Sequence, residues 1–568
     1  MSEMPWIKSY PKGVRWDAPL EPTAVQKLLE DAAANWPDKP ALQFMGKRIS
    51  YRELDALASR AAKGLQNLGV KPGVHVGLFL ANTPHYLIAL FGIWKAGGTA
   101  VNYSPLDAAK VLEHKIEDSR TDVLVTLDLA ALYPQMAAML GKTRLKKLVV
   151  GNVAEMSAQP EQVAAHMKAG KQTVPIASDE HHMSFAALLD NDGKYTPHPL
   201  GEPTEAIALL QYTGGTTGLP KGAMLTHANL SSAVAQVMET ACSMQPPLLH
   251  EGQERVLAVL PPFHIYALTV NMLLGVRLAA EVIQHIRFDP KAALADISSQ
   301  KVTVFAGVPT MFTALINDPD TPKHDLRSLK LCNSGGAPLP VELGKRFTEL
   351  TGTRLAEGWG MTETSPTGTF TPMQGRARPG SCGIPHPGTT IKMLDLEDPT
   401  KYVPLGEKGE MCIKGPNVMK GYWNNPEASA ASMTSDGLFR TGDVATMDED
   451  GFVYIVDRTK DMLLCSGYNV YPRVLEEAIY QHPAVREVAV IGIPDEYRGQ
   501  SPKAFLTLKD GAEPFTLEQL QAFLKDKLGK HEMVHALEIR ADLPRTAVGK
   551  LSKKDLVDEE ERKRTAGA

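Results

Sequence analysis

The sequence predicts an α/β protein: a large N-terminal domain of α/β layers with a β-barrel-like subdomain, then a small α+β domain on a hinge. Three observations point there. Short apolar strands alternate with helical segments over 51–333, glycine- and proline-rich loops fall where strands end, and beyond residue 400 the texture changes to short strands with polar turns.

The first clear element runs over 51–68. Ser50 and Glu53 form a capping-box pattern, Leu54, Leu57, Ala58, Ala61, Leu65 and Leu68 recur at helical spacing, and Gly69 follows as a stop. After Lys71-Pro72-Gly73, the run 74–80 reads as a buried strand and 86–95 as a second, apolar helix. Similar strands follow at 122–126, 147–150, 206–211, 255–260, 302–306 and 329–333. The polar, alanine-rich stretch 154–175 reads as a surface excursion. Strands at 410–414 and 451–456 mark the second texture. A compact unit follows Asp457-Arg458-Thr459-Lys460-Asp461, with strands at 487–493 and 503–508 and a helix over 517–528 capped by Thr516 with Gln519. The predicted domains are 1–456 and 462–568, joined by a hinge at 457–461.

A chain of 568 residues with 43% hydrophobic and 22% charged residues has ample material for several cores. A net charge of −5 supplies no basic field, so nucleic acid is not an expected partner. The five cysteines (Cys242, Cys332, Cys382, Cys412, Cys465) never form a CxxC pair, which argues against a zinc site or disulfide framework and fits a cytoplasmic setting. No secretory signal is expected at the N-terminus, and the most apolar stretch, 86–94, falls far short of the ~20 residues that span a bilayer.

The richest segment is Tyr212-Thr213-Gly214-Gly215-Thr216-Thr217-Gly218-Leu219-Pro220-Lys221-Gly222, directly after an apolar strand. Glycines let backbone N–H groups converge on phosphate oxygens, hydroxyls add donors, and Lys221 adds charge. It is not a Walker A loop, because Lys221 follows proline and precedes Gly222. A GxGxxG fingerprint is also missing there.

At these residues the chain resembles the adenylate-forming enzymes: acyl-CoA synthetases, firefly-type luciferases and peptide-synthetase adenylation domains. The resemblance recurs in register at Trp94-Lys95-Ala96-Gly97-Gly98, at 261–269, at Ser334-Gly335-Gly336-Ala337-Pro338-Leu339, and at Glu357-Gly358-Trp359-Gly360-Met361-Thr362-Glu363. Arg440-Thr441-Gly442-Asp443, the 457–461 segment and Pro544-Arg545-Thr546-Ala547-Val548-Gly549-Lys550 complete it.

The resemblance implies ATP, Mg²⁺ and coenzyme A as cofactor and co-substrates. Thr213 through Gly218 and Lys221 would grip the phosphates, with Thr216 and Glu363 meeting Mg²⁺. Gly336 and Ala337 would form the adenine slot, with the 357–362 strip beside it and Trp359, often tyrosine in relatives, closing one side. Asp443 would accept the ribose hydroxyls with Arg458 assisting. Lys550 would bridge the carboxylate and the α-phosphate. Ser466-Gly467-Tyr468 would replace it at the site when the small domain turns about Lys460. Lys530-His531-Glu532-Met533 departs from the family's usual Tyr-Lys-x-Pro. His264 is either a wall of the acyl channel or a satisfied core histidine, and Leu268 stands where some long-chain relatives have a gating tryptophan.

The strip 262–268 carries no aspartate for an amino-acid ammonium, and the chain ends Ala566-Gly567-Ala568 with no carrier domain or peroxisomal tripeptide. A CoA ligase remains, and Pro5-Trp6-Ile7-Lys8-Ser9-Tyr10-Pro11 with 263–269 looks like bacterial medium- and long-chain fatty acyl-CoA synthetases. A dicarboxylic or aryl acid stays open as substrate, as do peripheral membrane contact, a homodimer and, across classes, a non-catalytic binding module.

Overall fold

The computed structural model describes residues 4–213, 220–465, 468–495, 497–529, 532–545 and 551–566. They pack as two units, Met1–Thr390 with Lys414–Met433, and Ile391–Ile413 with Thr434–Ala568.

In the first unit the helix Tyr51–Asn67 starts at the predicted capping box: Ser50 accepts from Glu53 N, and the Glu53 carboxylate accepts from Ser50 N. Every residue of the helix Pro84–Lys95 is buried, its Gly92 lying so close to Ala61 that a Cβ there would come within 2.6 Å of the Ala61 Cβ. Small residues are what let these two helices touch.

Two sheets lie in this unit. One orders Gly421–Tyr422, Gly222–Thr226, Ile207–Tyr212, Thr99–Asn102, His75–Leu78, Val123–Leu127, Lys147–Gly151 and His182–Ser184. It is parallel except at its glycine-loop end, where Ile207–Tyr212, Gly222–Thr226 and Gly421–Tyr422 run antiparallel. The other orders Leu355–Glu357, Leu331–Ser334, Val304–Gly307, Arg255–Ala258, Glu281–Gln284, Pro40–Phe44 and Lys47–Ser50, over a core that includes Leu257, Leu294, Phe305, Phe312 and Phe347. The seven strands read from apolar runs between residues 74 and 333 all form, with ends shifted by one or two residues, whereas others in both sheets, such as Thr99–Asn102 and Glu281–Gln284, were not read from the sequence.

The excursion over 154–175 has regular structure of its own. A 3₁₀ turn, Val153–Met156, is capped by Asn152, and a helix, Pro160–Ala169, buries only Met167. With no apolar stripe, that helix left no period to read.

The second unit holds a four-stranded sheet (Thr390–Leu394, Gly409–Lys414, Phe439–Met447, Val453–Arg458) where short strands and polar turns suggested a barrel-like subdomain. A five-stranded sheet of Leu463–Cys465, Tyr468–Val470, Val485–Asp495, Gly499–Leu508 and Ala536–Ile539 packs on Leu475, Ile479, Leu520 and Leu524. Thr516 and Gln519 make the expected capping box, but the helix stops at Leu524, earlier than the predicted 528. Its end tightens into a turn in which Lys527 N donates to Leu524 O. The predicted hinge at 457–461 lies inside this unit, because the helix Pro472–Tyr480 starts against the strand before it: Arg473 N donates to Asp457 Oδ2 at 2.8 Å.

Candidate active site

The glycine-rich loop is the tip of a β-hairpin rather than a strand-to-helix turn. Tyr212 pairs with Gly222, and Thr213 N donates to Lys221 O at 2.9 Å, which closes the loop's base. The Tyr212 hydroxyl donates to Asp118 Oδ2 at 2.5 Å, and the Trp423 indole donates to Asp118 O. Burial, then Asp118, keep that phenol protonated. The interior of the loop, Gly214, Gly215, Thr216, Thr217 and Gly218, lies outside the described residues.

Lys221 is exposed, and its ammonium sits 4.4 Å from the centroid of the Tyr422 ring. The Tyr422 hydroxyl donates to Glu363 Oε1 at 2.8 Å. Glu363 itself is 5% exposed and is presented by the 3₁₀ turn Thr362–Thr364, where Met361 N donates to Thr364 Oγ1. Met419 N donates to Glu363 O at 2.8 Å. The strap 419–423 therefore brings the loop's lysine and the strip's glutamate to one aromatic side chain, the lysine at its ring face and the glutamate at its hydroxyl. Sequence reasoning missed Tyr422, which reads as an ordinary buried aromatic beside Gly421.

Ser334 pairs with Glu357 on adjacent parallel strands, so Gly335-Gly336-Ala337 and Gly358-Trp359-Gly360 leave neighbouring carboxyl ends, where open α/β sheets take ligands. Gly336 has φ 78°, a left-handed conformation that glycine tolerates, and Ala337 beside it is half-buried. At Gly360 a Cβ would sit 1.4 Å from Pro366 O, which excludes any side chain. Trp359 N donates to Thr369 Oγ1, Thr369 N donates back to Trp359 O, and the indole lies on Gly368, where a Cβ would approach to 2.4 Å.

The acyl strip is tied to these turns. The Tyr266 hydroxyl donates to Asn333 Oδ1 at 2.5 Å, and its ring presses on Gly335, where a Cβ would come within 2.9 Å. Gln211, also missed from sequence, donates to Phe263 O and accepts from Asn102, which accepts from the Tyr86 hydroxyl, each at 2.9 Å. This buried relay fixes the strip to the sheet. His264 is half-buried, and its Nδ1 accepts from Tyr266 N at 3.3 Å, so it caps the short helix Ile265–Ala267. Leu268 is fully buried and opens the π-helical segment Leu268–Leu273.

In the second unit Asp443 and Arg458 are cross-strand partners, and Arg458 Nε donates to Asp443 Oδ1 at 3.1 Å. Asp443 is 3% exposed, its N–H satisfied by Thr441 Oγ1. Lys460 is exposed in the turn after the strand, where Asp461 N donates to Arg458 O. Tyr468 opens a strand paired with Cys465, whereas Ser466, Gly467, Lys530, His531 and Lys550 lie outside the described residues.

Among the described residues no cluster of three or more histidine, cysteine or acidic side chains could hold a metal alone. A Mg²⁺ carried on substrate phosphates takes only one or two carboxylates. A single carboxylate at Glu363, with a lysine over the ring of the tyrosine that holds it, fits that case.

Comparison with known proteins places the chain in a family. Residues 29–423 match the AMP-binding enzyme family and 474–550 the AMP-binding enzyme C-terminal domain. The chain is 39% identical over 562 residues, 98% of each chain, to the long-chain-fatty-acid–CoA ligase of Bacillus subtilis. It is 37% identical, again over 98% of each, to the long-chain-fatty-acid–CoA ligase of Escherichia coli O6:H1. Among solved structures, an anthranilate CoA ligase in complex with anthranoyl-AMP is similar with a TM-score of 0.83 and 27% identity, covering 97% of this chain and 99% of that one.

Proposed function

We propose that this chain, which belongs to the family of AMP-binding enzymes, joins a long-chain fatty acid to coenzyme A with ATP, through an acyl-adenylate. One observation carries the proposal. The apolar strip 263–268 ends against the Gly335-Gly336-Ala337 turn through Tyr266, so an acid lying along the first has its carboxylate beside a nucleotide on the second. The ligases of B. subtilis and E. coli, alike over nearly the whole chain, support the acid and the acceptor.

A carboxylate resists a thiol because it is anionic and its oxygen leaves poorly. In the first half-reaction a carboxylate oxygen attacks the α-phosphorus of ATP, the bond to the β-phosphate oxygen breaks, and pyrophosphate departs. In the second, the thiol of coenzyme A loses its proton and attacks the acyl carbon, the bond to the phosphate oxygen breaks, and AMP departs. Catalysis is then largely positioning and charge neutralisation. Lys221 with Thr216 and Thr217 holds the β- and γ-phosphates. Glu363 and Thr216 hold Mg²⁺, which when bound neutralises phosphate charge. Gly336, Ala337 and Trp359 flank adenine, Asp443 with Arg458 takes the ribose hydroxyls, and His264 walls the acyl path. Lys550 bridges the carboxylate and α-phosphate in the first half. The 457–461 segment, with Lys460 as its pivot, exchanges Lys550 for Ser466-Gly467-Tyr468 in the second.

No described helix is long and apolar enough to cross a membrane. Contact with a bilayer surface, where long acids partition, belongs to the same proposal. A second reading, an aryl acid, draws on the likeness to the anthranilate ligase.

Pyrophosphate release over acids from acetate to palmitate, with benzoates and dicarboxylates included, tests the proposal. The expected order rises with alkyl length. A benzoate or an α-amino acid at the top would replace the fatty acid.

A further inference from the structure

We propose that Tyr422 is a positioning residue for the phosphate end of the nucleotide: its hydroxyl orients Glu363 toward the divalent cation and its ring seats Lys221. The role rests on the function proposed above, because it presumes that a Mg²⁺-bearing triphosphate lies between those two side chains.

The placement of Tyr422 is over-determined. Gly421–Tyr422 forms a two-residue edge strand, with Tyr422 opposite Ala223 on the strand that leaves the glycine loop. Trp423 N donates to Gly222 O at 2.8 Å and Lys420 N to Met224 O at 3.0 Å on either side of it. Gly421 has φ 146°, and a Cβ there would meet Ser429 Oγ at 3.0 Å, so glycine is required for the chain to turn the tyrosine inward. The same strap grips the backbone of Glu363 through Met419. One short segment thus fixes the loop's exit, the lysine and the glutamate together.

The chemistry of the two contacts explains why the residue is a tyrosine. A buried carboxylate can be oriented by a lysine or arginine, but that donor cancels the charge a metal needs. The Tyr422 hydroxyl, a neutral donor, holds Glu363 Oε1 at 2.8 Å and orients the carboxylate without itself adding a positive charge. The ring face meets the Lys221 ammonium at 4.4 Å, a contact that fixes a cation without neutralising it. One side chain thus places an ammonium suited to phosphate and a carboxylate suited to a metal ion. A tyrosine that merely fills the core would not depend on which of its two ends is removed.

That difference is the test. In the full-length protein, Tyr422→Phe keeps the ring and deletes the hydroxyl, whereas Tyr422→Leu deletes both. Mn²⁺ binding in the presence of ATP, followed by electron paramagnetic resonance, should weaken about tenfold or more in Tyr422→Phe, the scale for losing a hydrogen bond to a metal-binding carboxylate. Metal-free ATP binding by calorimetry in EDTA should stay within about twofold for the phenylalanine variant and fall by about two- to fivefold for leucine, where Lys221 loses its seat. In a Glu363→Gln background, adding Tyr422→Phe should weaken Mn²⁺ binding no further. A Mn²⁺ titration of Tyr422→Phe that overlays the wild type overturns the proposal, as do additive losses in the double variant. Equal losses of metal-free and metal-loaded ATP together with a lowered Tm in Tyr422→Phe also overturn it, by making the role structural. The functional reading fails separately, if the wild type shows no acid-dependent pyrophosphate release.

Discussion

In the N-terminal unit an ammonium meets the ring face, and a carboxylate the hydroxyl, of one tyrosine. In the C-terminal unit a carboxylate and a guanidinium meet directly, Arg458 donating to Asp443 at 3.1 Å. The contrast matches what the proposed function asks of each place. Under that proposal Lys221 and Glu363 would hold phosphates and a cation, and the tyrosine that places them adds no charge of its own. Asp443 would take uncharged ribose hydroxyls, for which a carboxylate is a good acceptor even beside a guanidinium. The proposal thus assigns ions to the tyrosine-bridged pair and hydroxyls to the directly paired one.

The largest expected effect lies in the C-terminal unit. Lys550→Ala should slow adenylation by about 10²–10³-fold, the scale of losing a charge-stabilising donor. Supplied with preformed acyl-adenylate, the same variant should form thioester at a near-normal rate, and equal damage to both halves would make Lys550 structural.

Glu363→Gln and Asp443→Asn separate the two modes directly. The first should cut kcat/KM by about 10–100-fold at limiting Mg²⁺ and recover in part as Mg²⁺ is raised. The second should weaken ATP by about tenfold, the scale of hydrogen bonds to a charged group, at every Mg²⁺ concentration. If both variants respond to Mg²⁺ alike, the distinction between the sites collapses.

Acid should weaken the N-terminal unit through two histidines. Burial lowers His227 to about 4 and His386 to about 3, so both stay neutral in the fold while the unfolded chain protonates near 6.5. The unfolded state then binds more protons. Stability present at neutral pH is lost as pH falls from about 6.5 toward 4, on the order of 3 kcal/mol for His227. Urea midpoints at neutral and mildly acid pH measure it, and His227→Gln should flatten the dependence. A variant with an unchanged slope would remove His227 from the account.

The smallest effect per step is the acyl chain. Each added methylene that is buried along the apolar strip should raise kcat/KM by about fourfold, from ~0.8 kcal/mol per CH₂, until the channel is full. A flat series, with no break at any length, would show that the strip does not read the chain.

What was legible in the sequence was local. The boxes Ser50 with Glu53 and Thr516 with Gln519 involve residues three apart, and both form as predicted. Gly336 and Gly360 were singled out by motif, and each proves to be a place where backbone conformation or a close approach requires glycine. Tyr422 was not legible, because its meaning lies in Glu363, fifty-nine positions away. Gln211 escaped for the same reason, its partner Phe263 being fifty-two away. The sheet before residue 457 packs with the residues after it, so the second unit begins near Ile391, close to the change of texture read beyond residue 400. The interior of the glycine loop and Lys550 fall outside the described residues, so their roles stand on the resemblance.

Oxygen transfer from a labelled acid tests the central claim most directly. With palmitate carrying ¹⁸O in its carboxylate, unlabelled ATP and coenzyme A, mass spectrometry of the products reports which bond was made to phosphorus. An acyl-adenylate route places one ¹⁸O in AMP for each palmitoyl-CoA formed, and none in pyrophosphate. Label in inorganic phosphate with ADP as the nucleotide product, or AMP without label, would contradict it.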